Sequence, residues 1–281
     1  MVYINDDEKI KNLANNMNTD NVYIFMDFDK TITIKQCVDS WDASANSEIL
    51  GDELSSELTR YYKKYRPIEV DYKLEQNEKE KYMIEWYRTC MELYYKHNMT
   101  KEKLEQSINK SKIILRKGLK NFFLKLYEKN IPVIILSAGI GNVIEQTLRN
   151  EGCYYENIKI ISNFIKFDKN GNMIEYSDYL IHTLNKNIDK LADLKIKSSI
   201  EEKKYRIAIG DLIEDIQMIG QYEDEKSLKI GFLNENIEQN MDMYKSKFDI
   251  VLTEENSFFD IEKLLGEILA VSCHKAHLLF H

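Results

Sequence analysis

The chain has 281 residues, 43% of them apolar, which is enough to bury a sizeable core in one large domain or two unequal ones. Two prolines and ten glycines exclude a collagen-like or Pro/Gly-rich disordered chain, and a net charge of −8 excludes a general nucleic-acid coat. The opening "MVYINDDEKIKNLANN" lacks the apolar stretch of a signal peptide, and no later run approaches a membrane span, so a cytoplasmic protein is expected.

In chain order, the first β-rich apolar run is 21–27 (NVYIFMD), which leads directly into "DFDKT". Roughly a hundred residues then precede the next such run, where a simple crossover needs about thirty. The interval reads as helical throughout. Leu54, Leu58, Tyr61 and Tyr65 share one face, Met83, Trp86, Cys90 and Leu93 another, and Leu104, Ile108 and Ile113 a third. A helical cap domain over 35–115 is expected, inserted into a core made of 1–34 and 116–281.

Helical patterns at Leu119–Leu126 and Val143–Leu148 then alternate with apolar runs at 131–136, 158–162, 205–210, 228–232 and 248–252. Runs apolar on both faces, separated by helices, predict an α/β fold with a Rossmann-like doubly wound parallel sheet. The stretch "NFIKFDKNGNMIEYS" reads as a small β-hairpin insertion around an Asn-Gly turn. Its "DKNGN" is not a calcium loop, since the glycine is misplaced and Tyr179 stands where a bidentate Glu is needed. Cys37, Cys90, Cys153 and Cys273 form no C-x-x-C pair and read as reduced thiols, while His274, His277 and His281 read as a frayed polar tail.

Ligands of open parallel sheets bind beyond the carboxyl ends of the strands. Asp27 and Asp29 end the first apolar run, Ser137, Ala138 and Gly139 end the second, and Asp211 ends the fourth with Asp215 one turn later. Each has a plainer reading: Asp29 or Thr31 as a helix cap, Ser137 as the cap of "AGIGNVIEQ", and Asp211 as the cap of "GDLIED" with Glu214 and Asp215 matching the dipole. Taken together at strand ends, they point to chemistry. Crowded carboxylates need a cation, and an all-oxygen ligand set suits Mg²⁺ completed by a phosphate. One carboxylate can attack phosphorus while its neighbour serves as acid and then base, with Ser137 and the amides after it holding phosphoryl oxygens. Lys186 of "LIHTLNKN" lies between two strand ends, where a point charge would help, but it is one lysine among many.

The segments "DFDKT", "SAG", the lysine of "NKN" and "GDLIED" resemble the four motifs of the haloacid dehalogenase superfamily of phosphotransferases. From about residue 22 to about residue 270 the chain is similar to the cytosolic pyrimidine 5′-nucleotidases of type III, through "YMIEWY", "ILRKGLKNFF", "IPVIILSAGIGNVIEQTLR", "LIHTLNKN" and "KIGFLNENIEQNMDMYKSKFDIVL". The resemblance implies Asp27 as nucleophile and Asp29 as acid/base. It implies that Asp27, the Asp29 carbonyl and Asp211 bind Mg²⁺ with Asp215 in support, and that Ser137, Ala138 and Lys186 bind phosphate. It also places Glu85 opposite the nucleoside base and Ser111 near the substrate. Glu85 lies on a polar helix face and could instead pair with Arg88 in solvent. The segment "IKQCVDSWDASANSEILGDELS" does not resemble the family, Glu214 replaces a glycine, and "NKN" replaces "NKH". Trp41 is expected to pack the cap hinge rather than stack on a base.

The expected function is that of a monomeric, Mg²⁺-dependent 5′-nucleotidase. Its substrate is a small-molecule phosphate ester, a pyrimidine nucleoside monophosphate in the first instance. The rivals are a phosphoserine phosphatase-like enzyme, a nucleoside phosphotransferase and a non-catalytic nucleotide-binding protein on the same fold.

Overall fold

The computed structural model describes residues 1–71, 73–191, 194–253 and 256–277. The chain opens with β1 (Val2–Ile4) and α1 (Asp7–Asn16), which the pattern of apolar runs does not reveal. The strand is only three residues long, and Leu13 is the one buried residue of the helix. Next comes β2 (Val22–Met26), buried at every position. Five helices follow: α2 (Ser40–Ser44), α3 (Ser47–Leu50), α4 (Asp52–Glu69), α5 (Gln76–Lys96) and α6 (Lys101–Lys110). The chain then runs through α7 (Leu119–Glu128), β3 (Val133–Ile140), α8 (Gly141–Asn150), β4 (Ile158–Asn163), β5 (Ile165–Phe167) and β6 (Met173–Tyr176). It ends with α9 (Ile188–Leu191), α10 (Leu194–Glu201), β7 (Tyr205–Gly210), 3₁₀ turns at Ile213–Ile219 and Asp224–Lys226, β8 (Ser227–Leu233), α11 (Ile237–Lys245), β9 (Ile250–Thr253) and α12 (Phe258–His277). The expected frayed tail is therefore helical as far as His277, and His281 lies outside the described residues.

Seven strands form one sheet in the order β1-β9-β8-β7-β2-β3-β4. Six are parallel as expected. The correction is at one edge, where β1 runs antiparallel to β9 with Val2 opposite Leu252. An edge strand pairs on one side only, so it needs no apolar run to announce it. The β2 side chains alternate between two covered faces. Val22, Ile24 and Met26 pack with Leu13, Phe122, Phe258 and Ile261, and Tyr23 and Phe25 pack with Ile188, Ile200 and Met218. Burial of each large side chain contributes roughly 1.5–3 kcal/mol. Helices on both faces force the strand ends, rather than the faces, to carry the site.

Between β2 and β3 the chain departs and returns side by side: the Ile34 amide donates to the Ile114 carbonyl at 3.0 Å and the Arg116 amide to the Ile32 carbonyl at 2.8 Å. Leu54, Tyr65, Met83, Cys90, Leu93, Leu104 and Ile108 are buried as their spacing predicts, while Leu58, Tyr61 and Trp86 are half-buried. Ile113 lies beyond the end of α6. Tyr87, Met91, Leu104 and Ile108 share an apolar cluster with Ala138, Ile140, Val143 and Met173, which lays these helices against the end of β3 and against the hairpin. The hairpin is the expected one: Gly171 supplies a φ of +82°, and Asp168 accepts from the amides of Asn170 and Asn172 at 2.9 and 2.8 Å, which accounts for "DKNGN" without a metal. Cys37, Cys90 and Cys153 are free thiols. No helix of the described residues is long and apolar enough to cross a membrane.

Candidate active site

Strand register brings the acidic residues together. Met26 of β2 lies level with Ile135 of β3 and Ile209 of β7, so the next residues of all three strands emerge at one edge of the sheet. The chain winds from β2 towards β4 on one side and from β7 towards β9 on the other, so the β2/β7 boundary is the switch point. Asp27 extends the pairing by donating its amide to the Ile209 carbonyl at 3.0 Å, and its carboxylate is buried.

The Lys186 ammonium, 2% exposed as a residue, bonds Asp27 Oδ1 directly and Asp215 Oδ1 at 2.8 Å. Asp215 Oδ2 in turn accepts from the amides of Asp211 and Leu212 at 3.1 and 2.9 Å. Asp215, not Asp211, therefore ties down the start of the 3₁₀ turn. Gly210 makes room for it, since a Cβ there would sit 2.5 Å from Asp215 Oδ2. Asp211 is held through its backbone, whose carbonyl accepts from the Tyr244 hydroxyl at 2.5 Å, and its carboxylate accepts from the Thr31 hydroxyl at 3.3 Å. Thr31 is thus bonded to the acidic cluster instead of capping a helix. Carboxylate oxygens of Asp27, Asp211 and Asp215 lie within 4.8 Å of one another.

This crowding shows in the proton affinities. Burial pushes Asp27 up to about 6, opposed by the Lys186 charge and helped by Asp215. Burial, then Asp39 and Asp27, push Asp29 up to about 8. Asp211 is raised by burial and by the charges of Asp27 and Asp215. Burial works against the Lys186 charge, but Asp215 and Asp27 outweigh it and hold the ammonium protonated.

The remaining candidates divide. Ser137 is buried and accepts from the Gly139 amide at 3.0 Å. It lies within the strand, which runs on to Ile140, so it does not cap α8. The Ala138 carbonyl accepts from the Trp41 indole at 3.1 Å and from Asn163 at 2.9 Å. Trp41 also meets Tyr87 edge-on and stacks on Tyr94, which is the packing role expected of it. Ser111 closes α6 and donates to the Ala43 carbonyl at 3.3 Å. Glu85 is exposed and is not brought into contact with the acidic cluster: it accepts from the Tyr65 hydroxyl at 2.5 Å and meets the Lys64 ammonium at 3.5 Å. Its partners are on α4, one helix away, and not Arg88 on its own helix.

Two residues become clear only in three dimensions. Lys30 has a φ of +62°, and its carbonyl accepts from Arg116 at 2.7 Å and from Asn234 at 3.0 Å, so its backbone shapes the loop. Ser40, in the segment that resembles no motif, donates from its amide to Asp29 Oδ1 at 2.9 Å and from its hydroxyl to Asp29 Oδ2 at 2.6 Å. The only sequence signal for it is a Ser following an Asp that caps a short helix.

A family model described as pyrimidine 5′-nucleotidase (UMPH-1) matches residues 26–269. The chain belongs to this family. It is 34% identical over 256 residues to the 7-methylguanosine phosphate-specific 5′-nucleotidase of Homo sapiens, spanning 89% of this chain and 85% of that protein. To the corresponding nucleotidase A of Xenopus laevis it is 33% identical over 253 residues, 88% and 87% of the two chains. Its structure is similar to that of cytosolic 5′-nucleotidase IIIB bound to cytidine, with a TM-score of 0.85, 30% identity, and 99% and 95% coverage. A substrate-bound phosphoserine phosphatase shares the fold at 19% identity and a TM-score of 0.55, covering 86% and 97% of the two chains. The protein is accordingly a 5′-nucleotidase, a phosphoric monoester hydrolase whose substrates are small-molecule nucleotides.

Proposed function

We propose that this 5′-nucleotidase is Mg²⁺-dependent and works through an aspartyl-phosphate on Asp27, beneath a cap formed by residues 35–115. The observation that carries the reading is the buried Asp27–Lys186–Asp215 bridge with Asp211 beside it. Three buried carboxylates face one buried ammonium among the described residues, so the donor set fits a further hard cation. Asp27, the Asp29 carbonyl and Asp211 would hold it, with Asp215 in support. Bound Mg²⁺ would screen the carboxylates from one another and draw the negative charge of the phosphate.

Asp27 attacks phosphorus and displaces the nucleoside 5′-oxygen, which takes a proton from Asp29. An Asp29 pushed up to about 8 holds that proton near neutral pH. Asp29 then accepts a proton from the water that attacks phosphorus, which frees Asp27 and inorganic phosphate. Lys186 keeps the Asp27 oxygen oriented and offers positive charge to the phosphoryl oxygens, joined by the Ser137 hydroxyl and the amides after it.

Support for the base comes from the cap. Tyr65 stacks on Trp86 with centroids 5.8 Å apart at 16°, and the Tyr65 hydroxyl holds Glu85. A carboxylate beside aromatic faces accepts exocyclic amino groups and favours a cationic ring. The relatives named for 7-methylguanosine phosphate and the cytidine-bound neighbour involve bases with such amino groups. We therefore infer that cytidine and 7-methylguanosine monophosphates are preferred to uridine monophosphate, with Ser111 lining the base side. A panel of these nucleotides and phosphoserine, with and without Mg²⁺, tests the reading. Metal-dependent phosphate release from the two amino-bearing nucleotides is expected. Preference for phosphoserine, or transfer of the phosphoryl group to added nucleoside in place of water, would overturn it.

A further inference from the structure

We propose that Ser40 is a positioning residue for Asp29, and that through it the orientation of the acid depends on the inserted helical segment. This rests on the reading of Asp29 as the proton donor to the leaving group. Ser40 is the first residue of α2, the first helix after the chain leaves β2, and it is fully buried. It grips both oxygens of one carboxylate, Oδ1 through its amide at 2.9 Å and Oδ2 through its hydroxyl at 2.6 Å. Two bonds to two oxygens fix both the position of the carboxylate and its rotation, which a single bond leaves free.

Ser40 is itself anchored to the phosphate-binding strand. Its hydroxyl accepts from the Ile140 amide at 3.3 Å. The neighbouring Gly139 leaves the space it fills, because a Cβ at Gly139 would overlap Ser40 Oγ and lie 2.9 Å from Asp29 Oδ2. Gly139 has no positive φ, so clearance for the Ser40–Asp29 pair is what its missing side chain supplies. Asp39 caps α2 by accepting from the Asp42 amide at 2.8 Å, which fixes the start of the helix and with it the direction of the Ser40 amide. Ser44, one turn on, bonds Tyr94 of α5 at 2.6 Å. A continuous set of contacts thus runs from α5 through α2 to Asp29. Displacing the inserted helices would withdraw both donors from the acid together.

The test separates a positioned acid from a merely packed loop by changing the leaving group. A nucleoside 5′-oxygen needs a proton as it departs, and p-nitrophenolate does not. The first step governs kcat/KM for both esters, so slow hydrolysis of the phosphoenzyme does not blur the comparison. Asp29→Asn and Ser40→Ala are assayed with cytidine monophosphate and p-nitrophenyl phosphate in Mg²⁺, with thermal unfolding as a check on the fold. We expect Ser40→Ala to lower kcat/KM for the nucleotide on the order of 10- to 100-fold. The aryl ester should change less than about threefold, within the scatter of a remote change. Asp29→Asn should show the same asymmetry, larger. If Asp29→Asn is asymmetric but Ser40→Ala slows both esters equally or neither, the positioning role is wrong and the acid stands. If Asp29→Asn itself shows no dependence on the leaving group, both the acid assignment and the role of Ser40 are overturned.

Discussion

The two ends of the proposed substrate site are built differently. At the phosphate end, Asp27, Lys186, Asp211 and Asp215 are each at most 7% exposed and tied to one another; the three aspartates follow neighbouring parallel strands, and Lys186 arrives in the loop after the β5–β6 hairpin. At the proposed base end, Glu85 has a side chain 55% exposed and hangs from one helix by a tyrosine hydroxyl and a solvent-facing lysine on another. Strand register places the aspartates, and the ion pairs to Asp27 and Asp215 place Lys186. Among the described residues, the base end rests on side chains of α4 and α5 alone. The proposed reaction centre is thus buried and internally bonded while the proposed recognition surface is exposed, and substitutions at the two ends should differ in kind as well as in size.

The largest expected effect is at the buried end. Asp27→Asn should abolish phosphate release, a loss of at least about 10³-fold, while the chain still folds, because the amide keeps the volume and Lys186 keeps Asp215 as its counter-charge. Release that survives this change would break the comparison. Removing Lys186 acts on stability as well. Lys186→Met strips the counter-charge from two buried carboxylates and should cost about 3 kcal/mol or more in urea unfolding, where an exposed lysine costs almost nothing. Addition of Asp27→Asn to that variant should recover part of the loss.

The smaller effects lie towards the proposed base end. Glu85→Gln should leave kcat for cytidine monophosphate nearly unchanged and raise its KM several-fold, with little change for uridine monophosphate. Equal effects on the two nucleotides would remove Glu85 from base recognition. His182, between the two ends, bears on stability and not on turnover. It is buried in the loop that carries Lys186, and burial pushes it down to about 4. A depressed folded value means the neutral ring contributes stability present above its unfolded pKa of about 6.5 and lost as the pH falls through about 4. The full contribution is roughly 3 kcal/mol. His182→Gln should therefore flatten the fall in stability between those pH values, and an unchanged slope would show that the ring does not titrate with unfolding.

The same contrast explains what the sequence revealed. Apolar runs with fixed partners on both faces, such as 205–210, leave a one-dimensional trace, and so do acidic residues placed directly after them. Asp27, Asp29 and Asp211 were legible for this reason. Lys186 was not legible by itself, because it arrives from a loop and its pairing with Asp27 is made across 159 positions. Ser40 was missed for a related reason: its two bonds to Asp29 span 11 residues of irregular chain, with no periodicity to mark them. Short β1 escaped because three residues cannot display an alternation. Glu85 was suggested by family resemblance, and neither its spacing nor its exposure distinguishes it from other polar residues of α5.

The central claim is that Asp27 carries the phosphoryl group. It is tested most directly by mixing the enzyme with cytidine monophosphate and Mg²⁺, quenching in acid within the first turnover, and locating added phosphoryl mass by peptide mass spectrometry. The account predicts the modification on the peptide containing Asp27 and its absence in Asp27→Asn. A phosphoryl group on another residue, or product formed in the first turnover with Asp27 unmodified throughout, would contradict it.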